Sequence, residues 1–279
     1  MSETTTTTWP DLPFRATEDT RIAPHILVRS AVFSTLDFAG AAPRPTTTEA
    51  EPLPLAAMSQ YRVAQLDGPR LSQGDAEVFF WLLSRAYRNG APKGSATVFF
   101  KRAEVLTALG RSRGGKTDAL LDESLQRLCL AEFNFEVHDK ASGQMQRLGR
   151  TRLLAKVDRF SNNPHYEYRV TIADGVAALM QNGAAVKLSA TVCRELARDP
   201  LAQGLHAHFA SNKFIYKTKF ETLKALMGRG STKQDSKWLR VLETALAKVS
   251  AATTWSQCEL AKTGEFAGKV VVRKDATSK

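Results

Sequence analysis

The sequence has little cysteine: three residues in 279, Cys129, Cys193 and Cys258. They are too few and too scattered for a disulfide framework or a thiolate metal site, and read as buried thiols of a reducing cytoplasm. Nowhere do about 18 apolar residues run together, and the start, MSETTTTTWPD, lacks a basic opening and an apolar stretch, so neither secretion nor membrane spanning is expected. Histidine is sparse as well. His25, His138 and His165 stand alone, which leaves no basis for catalysis or for a metal site. Acidic residues are the scarcer sign of charge, 28 against 39 Lys plus Arg.

The resulting net charge of +11 and pI near 9.7 make a polyanion the natural partner. The excess is clustered. Residues 84–116 carry eight basic side chains against Glu104 alone, and residues 211–250 carry nine against three acids, whereas residues 1–58 hold four against seven. At 279 residues and 43% hydrophobic composition, the chain is long enough for about two domains with real cores.

Residues 1–58 combine a threonine run with AAPRPTTTEAEPLPLAA, without a sustained period, and are expected to be a flexible acidic segment with one possible helix near Ile26 to Leu36. From Tyr61 the texture changes. In LSQGDAEVFFWLLSRAYRNG, Ser72 serves as a cap with an acid three residues on, Val78, Leu82 and Leu83 form an apolar stripe, and Asn89-Gly90 makes a stop, which predicts a helix. A strand over Thr97 to Phe100, a short helix over Arg102 to Leu109, a Gly/Arg turn and a helix from Lys116 to Leu130 follow, the last with Leu121, Leu125 and Leu128 on one face. Phe133, Phe135 and Val137 then alternate into a hairpin that turns at Asp139 to Gly143. Three helices and a hairpin in that order are the plan of a winged helix-turn-helix.

The plan recurs downstream. After a strand (Tyr166 to Ile172) and a small helix (Asp174 to Met180), KLSATVCRELARD, PLAQGLHAHFASN and FETLKALMG read as helices, and TTWSQCELA with GKVVVRK closes as a hairpin. The expected fold class is α+β, mostly helical, with two tandem winged-helix domains over 59–173 and 174–279 after the segment 1–58.

The last predicted helix sits in LMGRGSTKQDSKWLRVLETALAKV. Lys233, Lys237, Arg240 and Lys248 fall inside an arc of about 80° at 100° per residue, beside a neighbouring arc of Trp238, Val241, Leu242, Ala245 and Val249. Gly228 and Gly230 are placed to turn the chain, and Ser231 or Thr232 to cap the helix. A capped helix start presents backbone N–H groups to a phosphate, while Lys233, Lys237 and Arg240 reach other phosphates or base edges in a major groove. Arg229 in the turn, with Lys217 and Lys219 just upstream, completes this second cationic set. The competing reading is a solvated amphipathic helix.

In the first unit the equivalent turn is GRSRGGKT, residues 110–117, which satisfies the phosphate-loop pattern G-x-x-x-x-G-K-[ST]. A phosphate loop follows a buried strand, whereas KRAEVLTAL before it holds helix formers and charges. Arg111, Arg113 and Lys116 are therefore read as contacts to DNA phosphates, with a nucleotide hydrolase as the alternative. His206-Ala207-His208, with Tyr216 beyond, has the composition of a metal-dependent nickase. On a helix, however, positions two apart diverge by about 200°, so these are expected to be core or surface histidines. Arg147, Arg150, Arg152 and Lys156 lie along one expected wing strand, either touching phosphates or a minor groove, or protecting a solvated edge.

Several of these pieces together resemble plasmid replication initiators of the TrfA type and, more loosely, the RepC initiators of IncQ-type plasmids. WPDLPFRATEDT followed by VRSAVFST resembles a family segment before the folded part. RLLAKVDRF with YRVTIADGVAALM resembles the linker between its winged-helix domains. KLSATVCRELA and FETLKALMGRGSTKQDSKW are similar to its C-terminal module, with Ser231, Thr232, Lys237 and Trp238 at matching places. The resemblance implies two winged-helix domains that bind tandem repeats (iterons) of double-stranded DNA in a replication origin and help to melt it. It also implies recruitment of host initiator, helicase and sliding clamp, and a homodimer in equilibrium with an active monomer. The family's clamp-binding Gln-Leu-x-Leu-Phe element would lie before WPD, where MSETTTTT stands instead. The expectation is a non-enzymatic, cytoplasmic DNA-binding initiator without cofactor or metal, a winged-helix repressor being the alternative that also only binds.

Overall fold

The computed structural model describes residues 7–38, 43–139, 142–212, 215–230 and 235–274. Strand β1 (Thr20–Pro24) leads into the short helix α1 (His25–Val28) and strand β2 (Phe33–Ser34). All five residues of β1 are buried, as are Ile26 to Val28 and Ala31 to Thr35. The expectation of a largely flexible segment over 1–58 is thereby corrected, and the expected helix shrinks to α1. IAPHILVRSAVF shows no period because it is covered on all sides, so no face has to be polar.

Strands β3 (Thr46–Thr47) and β4 (Leu53–Leu55) pair with the long β5 (Tyr61–Pro69), and β6 (Leu71–Ser72) runs parallel to β2. Helix α2 (Gln73–Ala86) starts at the expected capping box, where the Ser72 N–H donates to Asp75 Oδ2 at 2.8 Å. Val78, Phe79, Phe80, Trp81, Leu82 and Leu83 are all buried, so α2 runs through the middle of a core rather than along its edge. Then come β7 (Thr97–Phe100), α3 (Arg102–Ala108), α4 (Gly115–Leu130), β8 (Glu132–His138), β9 (Met145–Arg152), β10 (Leu154–Arg159) and β11 (Tyr168–Ile172). Leu121, Leu125 and Leu128 form the buried stripe of α4.

The second half comprises α5 (Gly175–Leu179), β12 (Ala185–Ser189), α6 (Ala190–Glu195), α7 (Pro200–Ala210), β13 (Ile215–Lys219), α8 (Phe220–Leu226), α9 (Asp235–Ala252), β14 (Gln257–Leu260) and β15 (Lys269–Arg273). The fold is α+β, but "mostly helical" is corrected: among the described residues strands and helices contribute comparable lengths, because KLS of KLSATVCRELARD, Ile215–Lys219, Leu53–Leu55, Tyr61–Pro69 and Leu154–Arg159 are extended.

Both halves show the order helix, strand, helix, helix, hairpin, with different sheet partners. In the second, β13 joins the hairpin in the order β13–β15–β14. In the first, β7 leaves hairpin β8–β9 and pairs with β11, in the order β10–β11–β7, while β8 pairs with β5. Two apolar cores result, one from Trp9 to Leu188 joined by Ala207, the other from Leu196 to Val272. The cores part between Leu188 and Leu196, downstream of residue 174, because β12 pairs antiparallel with β1. Among the described residues no helix is long and apolar enough to cross a membrane.

The N-terminal segment bonds to both halves. Gln73 Nε2 donates to Phe33 O at 2.8 Å, and the Thr35 N–H donates to Met227 O at 3.0 Å. A Cβ added to Gly204 of α7 would lie 2.8 Å from Thr35 Cγ2 and 3.1 Å from Met227 Sδ, so only glycine allows this approach. His208 is fully buried. Its Nδ1–H donates to Val28 O at 3.0 Å, which leaves Nε2 to accept from the Tyr216 hydroxyl at 2.8 Å. His206, also buried, stacks on Trp255.

Burial holds both His206 and His208 at a pKa of about 4, below the ordinary 6.5. Between these values the unfolded chain binds protons that the folded chain refuses. Stability from these groups is therefore complete above about pH 6.5 and lost as pH falls towards 4. Urea midpoints should drop from pH 7 to pH 5, and His208→Gln should make that slope shallower although it starts lower. An unchanged slope would mean that His208 already carries its proton in the fold.

Candidate nucleic-acid interface

Helix α9 supplies the expected two-sided rod. Trp238, Leu242, Ala245, Leu246 and Val249 are buried in the second core. Trp238 Nε1 donates to Phe220 O at 3.3 Å, and Lys224 Nζ pairs with Asp235 at 2.7 Å, so the start of α9 is pinned to α8. With that face fixed, Lys237 and Arg240 project outward. Both are exposed, and neither side chain makes a hydrogen bond or ion pair among the described residues. Lys248, in the same arc, is neutralised by Asp199 at 2.8 Å. Ser231, Thr232 and Lys233 lie outside the described residues.

Strand β13 alternates. Tyr216 turns inward to His208, while Ile215, Lys217 and Lys219 are exposed. Lys219 lies at the start of α8, next to the Phe220 carbonyl that Trp238 holds, so its end of β13 meets the first turn of α9. Lys217 Nζ sits 3.6 Å from the Phe266 ring centroid, and Lys269 of β15 flanks the same ring at 5.8 Å. The sequence reading missed Lys269 and Phe266, and the strand β13 itself. The alternation of Ile215, Lys217 and Lys219 was the available signal, overlooked because the strand is short and two of its exposed residues are charged.

Arg229 turns inward. Its Nε and Nη2 donate to Thr35 Oγ1 and Thr35 O, each at 2.7 Å, and burial lowers its pKa. Its assignment as a DNA contact is corrected to a tie between the second half and the N-terminal segment. Gly228, at φ +70, makes the turn possible, since its added Cβ would meet Ser34 Oγ at 2.8 Å; Gly230 is not in the left-handed region.

Ion pairing reduces the first basic island. Arg85 pairs with Glu104 at 3.2 Å, Arg88 with Glu18, and Arg102 with Asp118 and Asp122, each at 3.2 Å. Arg111 is half-buried and pairs with Glu77, which also accepts from Gln203 of α7. Burial raises the Glu77 pKa while Arg111 opposes the shift, so Arg111 serves a joint between α2 and α7 and not a phosphate. Arg113 and Lys116 remain exposed, without an ion pair among the described residues. Arg113 sits in the turn between α3 and α4, which has Gly110 at φ +66, and Lys116 in the first turn of α4. A phosphate loop needs a strand before it, and α3 stands there instead.

The expected wing strand divides in two. Arg147, Arg150 and Arg152 lie on β9 and Lys156 on β10. Arg150 binds Glu132 at 2.8 Å and also Glu49, Arg152 lies 3.9 Å from Glu132, Arg147 donates to Asn134 at 3.3 Å, and Lys156 pairs with Asp158 at 3.0 Å. Glu132 of β8, Glu49 and Asp158 of β10 thus offset much of this stripe. Of the cations expected to contact DNA, Lys219, Lys237 and Arg240 in the second half and Arg113 and Lys116 in the first are exposed without a side-chain hydrogen bond or ion pair among the described residues.

Removing an inward-facing cation should cost stability first. Arg111→Ala strands Glu77 in the interior and should lower unfolding free energy by about 3 kcal/mol. Arg229→Ala should cost about 1–3 kcal/mol. Urea titration checks both; a midpoint unchanged in Arg111→Ala would show that the ion pair is not structural.

Comparison with protein-family models and with curated proteins gives no match. Among solved structures, the chain is similar to domains 2 and 3 of RctB, a replication initiator of Vibrio chromosome II, in a selenomethionine form: TM-score 0.51 and 10% identity, over 85% of this chain and 94% of that one. A second structure of RctB domains 2–3 gives a TM-score of 0.51 at 12% identity, over 84% and 94%. At such identities the likeness is one of fold alone.

Proposed function

We propose that the protein is a sequence-specific double-stranded DNA-binding replication initiator in which α9 enters a major groove. The observation that carries this reading is the exposed pair Lys237 and Arg240, without a side-chain hydrogen bond or ion pair among the described residues, on a helix whose opposite face is locked into a core. In this reading the second half is a winged helix: α7, β13, α8 and α9 precede the hairpin β14–β15, and β13 completes its sheet. Lys217, Lys219 and Lys269 flank α9 and contact the phosphate backbone. The first half is a diverged unit of the same kind, whose Arg113 and Lys116 hold phosphates at the α3–α4 turn, while its largely neutralised hairpin sets register.

The fold shared with an initiator supports origin binding over other uses of such a helix, and the resemblance to TrfA-type initiators supports direct repeats (iterons) as the target. On the same basis the protein assists melting at the origin, recruits host initiator and helicase, exchanges between monomer and dimer, and acts in the cytoplasm without catalysis or cofactor.

With about six phosphates neutralised, affinity for a direct-repeat duplex should fall on the order of 10³-fold between 50 and 200 mM salt. Lys237→Ala/Arg240→Ala should lower affinity about ten- to hundred-fold, in line with the loss of groove contacts, at an unchanged melting temperature. Fluorescence anisotropy on repeat and scrambled duplexes measures both. A flat salt response, or a double variant that binds as tightly as the parent, would remove α9 from the interface.

A further inference from the structure

A cleft of about 530 Å³ opens where β1, the end of α2, α3 and α6 meet, a size that suits a small ligand. Four guanidinium groups line it: Arg21 from β1, Arg85 and Arg88 at the end of α2, and Arg194 from α6. Two carboxylates share the cleft. Glu104 pairs with Arg85 and Glu18 with Arg88, so the lining keeps a net charge of 4 − 2 = +2, centred on Arg21 and Arg194.

Arg21 is only 5% exposed, yet no carboxylate lies within ion-pair distance of it among the described residues. Its guanidinium donates to backbone carbonyls instead, to Ala108 O at 2.8 Å, Thr20 O at 3.1 Å and Glu18 O at 3.4 Å. These three bonds engage three of the five guanidinium N–H donors and do not cancel the charge, and burial lowers its pKa. Arg194 is exposed, donates to Thr191 Oγ1 at 3.0 Å and likewise has no ion pair among the described residues. A buried cation without an ion pair, reached by Asp19 and Glu77 only from beyond ion-pair distance, on the wall of an open cleft beside a second cation without an ion pair, is arranged for an anion to enter.

We propose that this cleft binds a small phosphorylated anion, seated between Arg21 and Arg194, at a site separate from the α9 face. A compact dianion matches the net charge and the planar donors of two guanidinium groups. A continuous nucleic-acid backbone fits less well, because Glu18, with its side chain 80% exposed, and Glu104, 41% exposed, would face it.

The test uses the full chain and inorganic pyrophosphate at constant ionic strength, followed by calorimetry and thermal melting. Saturable binding of one anion per chain is expected, with a melting temperature that rises as the ligand exceeds its Kd. Arg194→Ala removes an exposed side chain and should weaken binding about ten-fold or more, without changing the ligand-free melting temperature. Arg21→Ala also removes the tie to Ala108 and can fail to fold, so Arg85→Ala serves as the second variant, weakening binding by releasing Glu104 into the cleft. The proposal is overturned by the absence of saturable binding up to about 10 mM, where an affinity would be too weak to matter, or by an unchanged Kd in Arg194→Ala. Loss of binding in Lys237→Ala/Arg240→Ala, or displacement of the anion by duplex DNA, would place the phosphate on the DNA face and overturn it equally.

Discussion

An extended segment buried on every side must satisfy its own backbone, and the way residues 20–35 do so decides where both cores sit. β1 gives its edge to β12, β2 gives its edge to β6, and the linking turns bond to Ala56, Met227 and Ala184. Because β12 lies just before α6 and α7, pairing it with β1 ties the first core to the start of the second half. Gly204 lets α7 approach Thr35, and the neutral ring of His208 bridges Val28 and Tyr216. A segment rich in Thr and Pro at its ends is therefore a central element, held by backbone hydrogen bonds that water cannot replace in the interior.

The same economy of buried polar groups governs α2. Asp75 is fully buried and accepts from the Ser72 backbone, from Ser124 Oγ at 2.6 Å and from Arg127 at 2.8 Å, so one carboxylate caps α2 and fastens it to α4. Every oxygen has a donor, which is the condition under which a buried charge is tolerated.

Which cations face outward is settled by these joints. In the first half Arg102 and Arg111 hold α4 and α2 through acids that lie elsewhere in the chain, and the arginines of β9 face Glu132 and Glu49. In the second half the buried stripe of α9 forces Lys237 and Arg240 to the other side, where no acid meets them among the described residues. The proposed reading as a DNA-binding protein rests on that asymmetry.

Local signals determined much of this protein by themselves. The capping box at Ser72, the stripe of Leu121, Leu125 and Leu128, the alternation of Phe133 and Phe135, and the two faces of α9 are short-range patterns, and each becomes the expected element. Tertiary structure alone decided the rest. Residues 22–33 carry no period because they are covered on all faces. The partner of β7 is chosen by a strand about 70 residues away, a separation invisible to local propensity. Arg111 and Arg229 read as free cations until the fold brings Glu77 and Thr35 to them. Charge is a property of a residue, whereas its availability depends on what the chain packs beside it.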